Sequence, residues 1–200
     1  MADPVVANVF KSGAILWYAP VGETIPDKDT IGAGDPWGGN WQRLGFTKAP
    51  VTFAYEREVA DINVEEYLAP IDKYRIAEKA QAETTLAELT ADYLSLGVGG
   101  TPTEAAAGAG TVGYEELEVG GEFRLTKYAV GFEGIRYDAN DNDLPLRLFM
   151  YRAVITLNGE LEFSKRSDDF PGLPIVIELL ADTDNNGKLF KFQRVTAPAT

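Results

Sequence analysis

Apolar side chains occupy alternate positions at Val51, Phe53 and Tyr55, the period of a strand with one buried face, so a half-buried strand is predicted directly after Pro50. No Gly or Pro follows until Pro70. One continuous strand over 51–69 would reach roughly 60 Å, far beyond the usual length. The chain is therefore expected to bend near Asp61-Ile62-Asn63, giving either an arm over 56–69 or two ordinary strands separated by a bulge. Upstream, Gly13 to Pro20 is a short apolar run bounded by Gly and Pro, the pattern of a buried strand. The stretch Val21 to Asn40 is rich in Gly, Pro and Asp and predicts no regular element. That long loop, 19–40 with its flanks, closes on Trp37 and Trp41. Large aromatics there are expected to anchor it to the body, and a loop of this length is usually functional.

Thr85-Leu86-Ala87-Glu88 has the form of a capping box, and Leu86, Leu89, Tyr93 and Leu96 recur near helical spacing before Gly97. A helix over about 86–96 is predicted. The small residues of 97–113 have little to bury and predict a flexible, exposed loop. The C-terminal half reads as strands at 122–130, 146–157, 160–165, 173–181 and 188–195. Asn158-Gly159 is the strongest hairpin signal, and Asn186-Gly187 serves a longer turn. Together these patterns predict an all-β fold with one helix in a single domain, 1–200, built as two packed antiparallel sheets or a partly open β-barrel.

With 200 residues and 45% apolar content, the chain is long enough to bury a sizeable core without disulfides. No apolar run approaches the roughly 20 residues that span a bilayer, so no membrane insertion is expected. Met1-Ala2-Asp3-Pro4 lacks the basic start of a signal peptide, which predicts folding in a cytoplasm. The net charge of −13 argues against specific nucleic-acid binding. Fifteen carboxylates lie between Glu56 and Glu122 against only Arg57, Lys73, Arg75 and Lys79. The ordinary explanation is a solvated acidic surface; the sharper one is a wall that does not hold DNA.

The absence of His and Cys removes thiol nucleophiles and His-based triads, so no enzymatic activity and no cofactor are expected. Asp182, Asp184 and Asn186 match the first half of a calcium loop, but Gln193 stands where the bidentate carboxylate belongs. A plain turn is favoured there. Asp138 to Asp143 also crowds oxygen ligands into a turn, which Asx geometry explains without an ion. Trp17, Trp37, Trp41 and Tyr18 would suit sugar stacking, but more ordinarily serve packing and subunit contact. A calcium-assisted carbohydrate-binding β-sandwich is therefore the main alternative.

The Gly-led strand with Leu16-Trp17-Tyr18, the Pro/Gly/Asp loop and Trp41-x-x-Leu44-Gly45 resemble the opening of the major tail tube subunit of long, non-contractile (siphovirus-like) bacteriophage tails. Gly172 to Asp182, a polar turn and Lys188-Leu189-Phe190-Lys191-Phe192 resemble the strand pair that closes its sheets. The resemblance implies a virion protein, made in the host cytoplasm, whose copies form stacked, usually sixfold rings around a channel. Its implied partners are further copies of itself, a tape-measure protein in the lumen, tail-terminator and distal tail or baseplate proteins, and phage DNA in transit without specific binding. A head-decoration or tail-terminator subunit is a second alternative. Under this resemblance Glu56, Glu58, Glu78 and Glu83 are candidate lumen-facing acids. Trp37, Trp41, Arg57, Asp61 and Lys79 are candidate subunit contacts, with the N-terminus, the 21–40 loop and the 56–69 segment as contact arms.

Overall fold

The computed structural model describes residues 13–121, 124–138, 140–161 and 172–197. Its strands are β1 (Ile15–Pro20), β2 (Gln42–Arg43), β3 (Thr52–Ile62), β4 (Asp72–Leu86), β5 (Thr103–Ala105), β6 (Tyr114–Glu116), β7 (Tyr128–Tyr137), β8 (Asp143–Leu157), β9 (Leu173–Leu179) and β10 (Phe190–Arg194). One helix, α1 (Ala91–Val98), falls between β4 and β5. The fold is thus mostly β with one short helix. Instead of two packed sheets, it has one eight-stranded antiparallel sheet in the order β2-β1-β7-β8-β9-β4-β3, with β10 also on β8, plus a separate β5–β6 ribbon.

The large sheet coils. Phe53 on β3 stacks edge-on to Phe132 on β7 with ring centroids 6.1 Å apart, although β8, β9 and β4 lie between them in the ladder. In a flat sheet those strands would be separated by about 19 Å, four steps of about 4.8 Å. The curl encloses the main core, which includes Leu16, Val130, Met150, Ile155, Ile175, Ile177, Ala80, Ala82 and Leu86. The segment after β2 reaches across to β4, where Lys48 N–H donates to the Thr85 carbonyl at 2.7 Å and Ala87 N–H to the Phe46 carbonyl at 2.7 Å. Among the described residues the strands do not close into a barrel.

Strand β8 carries large apolar groups on both faces, so it needs cover on both. One face looks into the main core. On the other, Phe149 joins Trp17, Ala19, Ala129, Trp37 and Trp41 in a second core roofed by the 21–40 loop. This explains the expected anchoring: Trp37 stacks on Trp17 at 5.3 Å, and Trp41 donates its indole N–H to the Thr24 carbonyl.

Several expectations are corrected. Thr85 and Leu86 end β4, paired with Pro174 and Leu173, and the helix starts five residues later with Thr90 as its N-cap. The hydroxyl of Thr90 accepts from Tyr93 N–H, while the carboxylate of Glu88 accepts from Phe46 N–H. The loop at 97–113 is partly ordered into the β5–β6 ribbon, closed by the Gly108–Thr111 bridge. The strand sought at 122–130 begins instead at Tyr128. The N-terminal arm and most of the predicted strand 160–165 lie outside the described residues.

Candidate assembly surface

The bend expected near Asp61 is a hairpin turn. Strand β3 runs out to Ile62, the chain turns over 63–71, and β4 returns alongside it in register from Ile62↔Asp72 to Thr52↔Glu83. The arm is thus built of two strands, and its returning half, β4, was not predicted. Ala80 and Ala82 are the last inward groups of β4 that are buried; every residue from Ile71 to Lys79 is exposed. The seven steps of β3 from Tyr55 to Ile62 project roughly 23 Å past the core. A ribbon of two strands has little stability alone.

Beside its eleven charged side chains the arm from Glu56 to Lys79 exposes large apolar ones. Val59, Ile62, Tyr67, Leu68, Ile71, Tyr74 and Ile76 are all large, apolar and exposed, with Leu68 fully so. Single exposed apolar groups need no explanation, but seven on one projecting hairpin, spread over both faces and the tip, make it a candidate interaction surface. Strand β3 is also an edge: among the described residues it pairs with β4 alone.

The candidate acids divide between the two faces of this ribbon. Cross-strand register places Glu56, Glu58 and Glu83 on the outward face with Gln81 and Lys79, because Glu56 lies opposite Lys79 and Thr52 opposite Glu83. That face continues onto β9, where Glu178 lies opposite Gln81. Glu78 is on the other face, accepting from the Tyr55 hydroxyl and the Arg75 guanidinium, each at 2.8 Å. The bond from Tyr55 to Glu78 raises the Tyr55 pKa above its ordinary value. A bulge between Glu58 and Val59 then shifts the register, and Asp61 pairs with Lys73 at 2.6 Å. Of the subunit-contact candidates, Arg57 and Lys79 are exposed on the arm, whereas Trp37 and Trp41 are buried in the second core and make their contacts within the subunit.

The loop that covers those tryptophans is held by a buried ion pair missed in the sequence. Glu133 on β7 and Arg147 on β8 lie directly opposite one another, both fully buried. The Glu133 carboxylate also accepts from Gly34 N–H at 2.6 Å and the Trp37 indole N–H at 3.3 Å. Arg147 donates to the Ile31 and Gly32 carbonyls, both at 2.8 Å. The sequence gives little signal for the pair, since β7 also carries Arg136 and β8 also carries Asp143 and Arg152.

At the calcium-like turn, Asp182 is buried and its carboxylate accepts from Asp184 N–H and the Asn185 side-chain amide. Asn186 and Gly187 follow with φ of 57° and 75°, and the excursion returns to β10. These donors make it a capped turn. Asp138 behaves likewise: its carboxylate accepts from the backbone N–H groups of Asn140 and Asn142 and from the Asn142 amide. Those bonds, the Asn142 side chain first, hold its pKa below the ordinary carboxylate value. Among the described residues no three acidic side chains gather as a metal site.

Compared with known proteins, the chain matches no family model and no curated protein.

Proposed function

We propose that this chain is a structural subunit that associates with copies of itself into stacked rings, forming the tail tube of a long, non-contractile bacteriophage tail. The observation that carries the proposal is the projecting β3–β4 hairpin, whose apolar side chains and unpaired edge are exposed in the single subunit. Edge strands of this length are normally blunted or covered, since they template pairing with other chains. A coiled sheet that stays open can be completed by a neighbour, which removes the edge from both. On this reading the sheet belongs to the tail-tube type, with the hairpin and the 21–40 loop as contact arms. The tape-measure protein, tail-terminator and baseplate proteins would be the remaining partners.

The acidic outward face suits a conduit. Duplex DNA carries one negative charge per about 1.7 Å. At about 10 Å in water one carboxylate repels one phosphate by only about 0.4 kcal/mol before screening. Repetition of Glu56, Glu58, Glu83 and Glu178 around and along a tube gives a wall whose carboxylates outnumber Lys79 on the same face. Glu78, engaged with Arg75 and Tyr55, is removed from that set.

The carbohydrate-binding alternative is disfavoured by the tryptophans. All three are buried in the second core, with Trp37 packed against Trp17, Trp41 and Phe149, which leaves little ring face for a sugar. Negative-stain microscopy of the concentrated full chain tests the proposal. Hollow tubes or stacked rings are expected; particles that remain single subunits at every concentration contradict it.

A further inference from the structure

We propose that Asn158 is a site of spontaneous deamidation, and that the turn around Asn186 shields the other Asn-Gly pair of the chain from the same reaction. Asparagine is a thermally labile residue. Glycine after it offers the least hindrance, because no side chain covers its backbone nitrogen. The Gly159 nitrogen gives up its proton and attacks Cγ of the Asn158 side chain. A new N–Cγ bond closes a succinimide ring, the bond from Cγ to the amide nitrogen breaks, and that nitrogen leaves with the proton as ammonia. Water then opens the ring at either carbonyl, giving aspartate or isoaspartate. Each event adds a negative charge to a chain already at −13.

The fold sets the two pairs apart. Gly187 N–H donates to the Asp182 carbonyl at 2.7 Å, which withholds its proton from base. Asn185 N–H donates to the same carbonyl and Lys188 N–H to the Asn185 carbonyl, while the buried Asp182 carboxylate holds Asp184 N–H and the Asn185 amide. Asn186 is fixed within this turn at φ 57° and ψ 37°. The turn must open before Gly187 can react, and a closed segment reacts only through such local openings. Asn158 has no such cage. It lies just past the end of β8, exposed together with Gly159, and its φ is not the positive one that a type I′ turn would impose. Its own N–H donates to the Pro174 carbonyl at 2.9 Å. Among the described residues neither its side-chain amide nor Gly159 N–H has a hydrogen-bond partner. The peptide that follows Asn158 therefore has no bond to break before its nitrogen turns onto Cγ.

The test incubates dilute full-length chain at mildly alkaline pH and then digests it with trypsin, which cuts after Arg152, Lys165 and Lys188 and so releases the two pairs on separate peptides. Mass spectrometry reads amide loss at each. The folded chain is expected to lose the Asn158 amide about tenfold or more faster than the Asn186 amide, with isoaspartate among the products. In urea, where the turn is gone, the two rates should come together. Asp182→Ala removes the capping carboxylate and should raise the loss at Asn186 in the folded chain while leaving Asn158 as it was. Equal rates in the folded chain, a faster Asn186, or a gap that persists in urea overturns the proposal. So does an Asn158 that keeps its amide when folded and loses it in urea. An Asn186 rate unmoved by Asp182→Ala overturns the shielding role of the turn.

Discussion

Glu133 and Arg147 face each other across β7 and β8 with neither side chain touching solvent, and together they hold the backbone of the 21–40 loop at Ile31, Gly32 and Gly34. Removing one member strands the other charge in a dry site, which typically costs about 3–5 kcal/mol. Arg147→Met is therefore expected to lower stability by about that amount in urea unfolding and to expose the loop to proteolysis. The double change Glu133→Leu/Arg147→Met should cost less than the sum of the two single changes, since it leaves no unpaired charge.

Trp37 sits on the backbone of Gly131, where an added Cβ would lie 2.4 Å from its ring. Gly131→Ala is expected to push Trp37 off the sheet and destabilise by about 1–3 kcal/mol, the usual cost of overpacking. Near-UV circular dichroism should lose the signal of the stacked Trp17–Trp37 pair. An unchanged spectrum would contradict this packing.

Tyr18 and Tyr128 meet edge-to-face at 5.9 Å, and burial raises both phenols above their ordinary pKa of 10.0. Tyr18 is raised further by Tyr93 and Asp92 nearby. Burial, and then Asp182, raises Tyr151 too. Above pH 10 the unfolded chain loses phenolic protons that the folded chain keeps, so the stability present below pH 10 falls as pH rises through the folded values. Melting temperature should decline above pH 10, and less steeply in Tyr18→Phe. Phenolate absorbance should appear in the folded protein later than in the unfolded one.

Much of this architecture was legible where the pattern was local. The β1 run, the irregular loop closing on two tryptophans, and the alternation at Val51, Phe53 and Tyr55 all appear where expected. The β4 strand was missed because three of its four buried positions are Ala80, Ala82 and Thr84, whose small side chains give only a faint alternation. Thr85 and Glu88 have the spacing of a capping box, yet pairing of Thr85 and Leu86 with β9 outcompetes helix formation there. The helix starts at the next available cap, Thr90. The two faces of the arm were unreadable without the register, which is why Glu78 was grouped with Glu56, Glu58 and Glu83. Glu133 and Arg147 are 14 residues apart, and only the pairing of β7 with β8 brings them together.

The arm beyond Tyr55 and Ala80 contributes little to the subunit's own core. Replacing 58–77 by a short Asn-Gly turn joining Arg57 to Glu78 should therefore leave a folded domain with a similar melting temperature. Sedimentation velocity of this shortened chain beside the full chain, at matched concentrations, tests the central claim most directly. The account predicts large, concentration-dependent species for the full chain and a monomer for the shortened one. Equal association by the two, or a full chain that stays monomeric throughout, would contradict it.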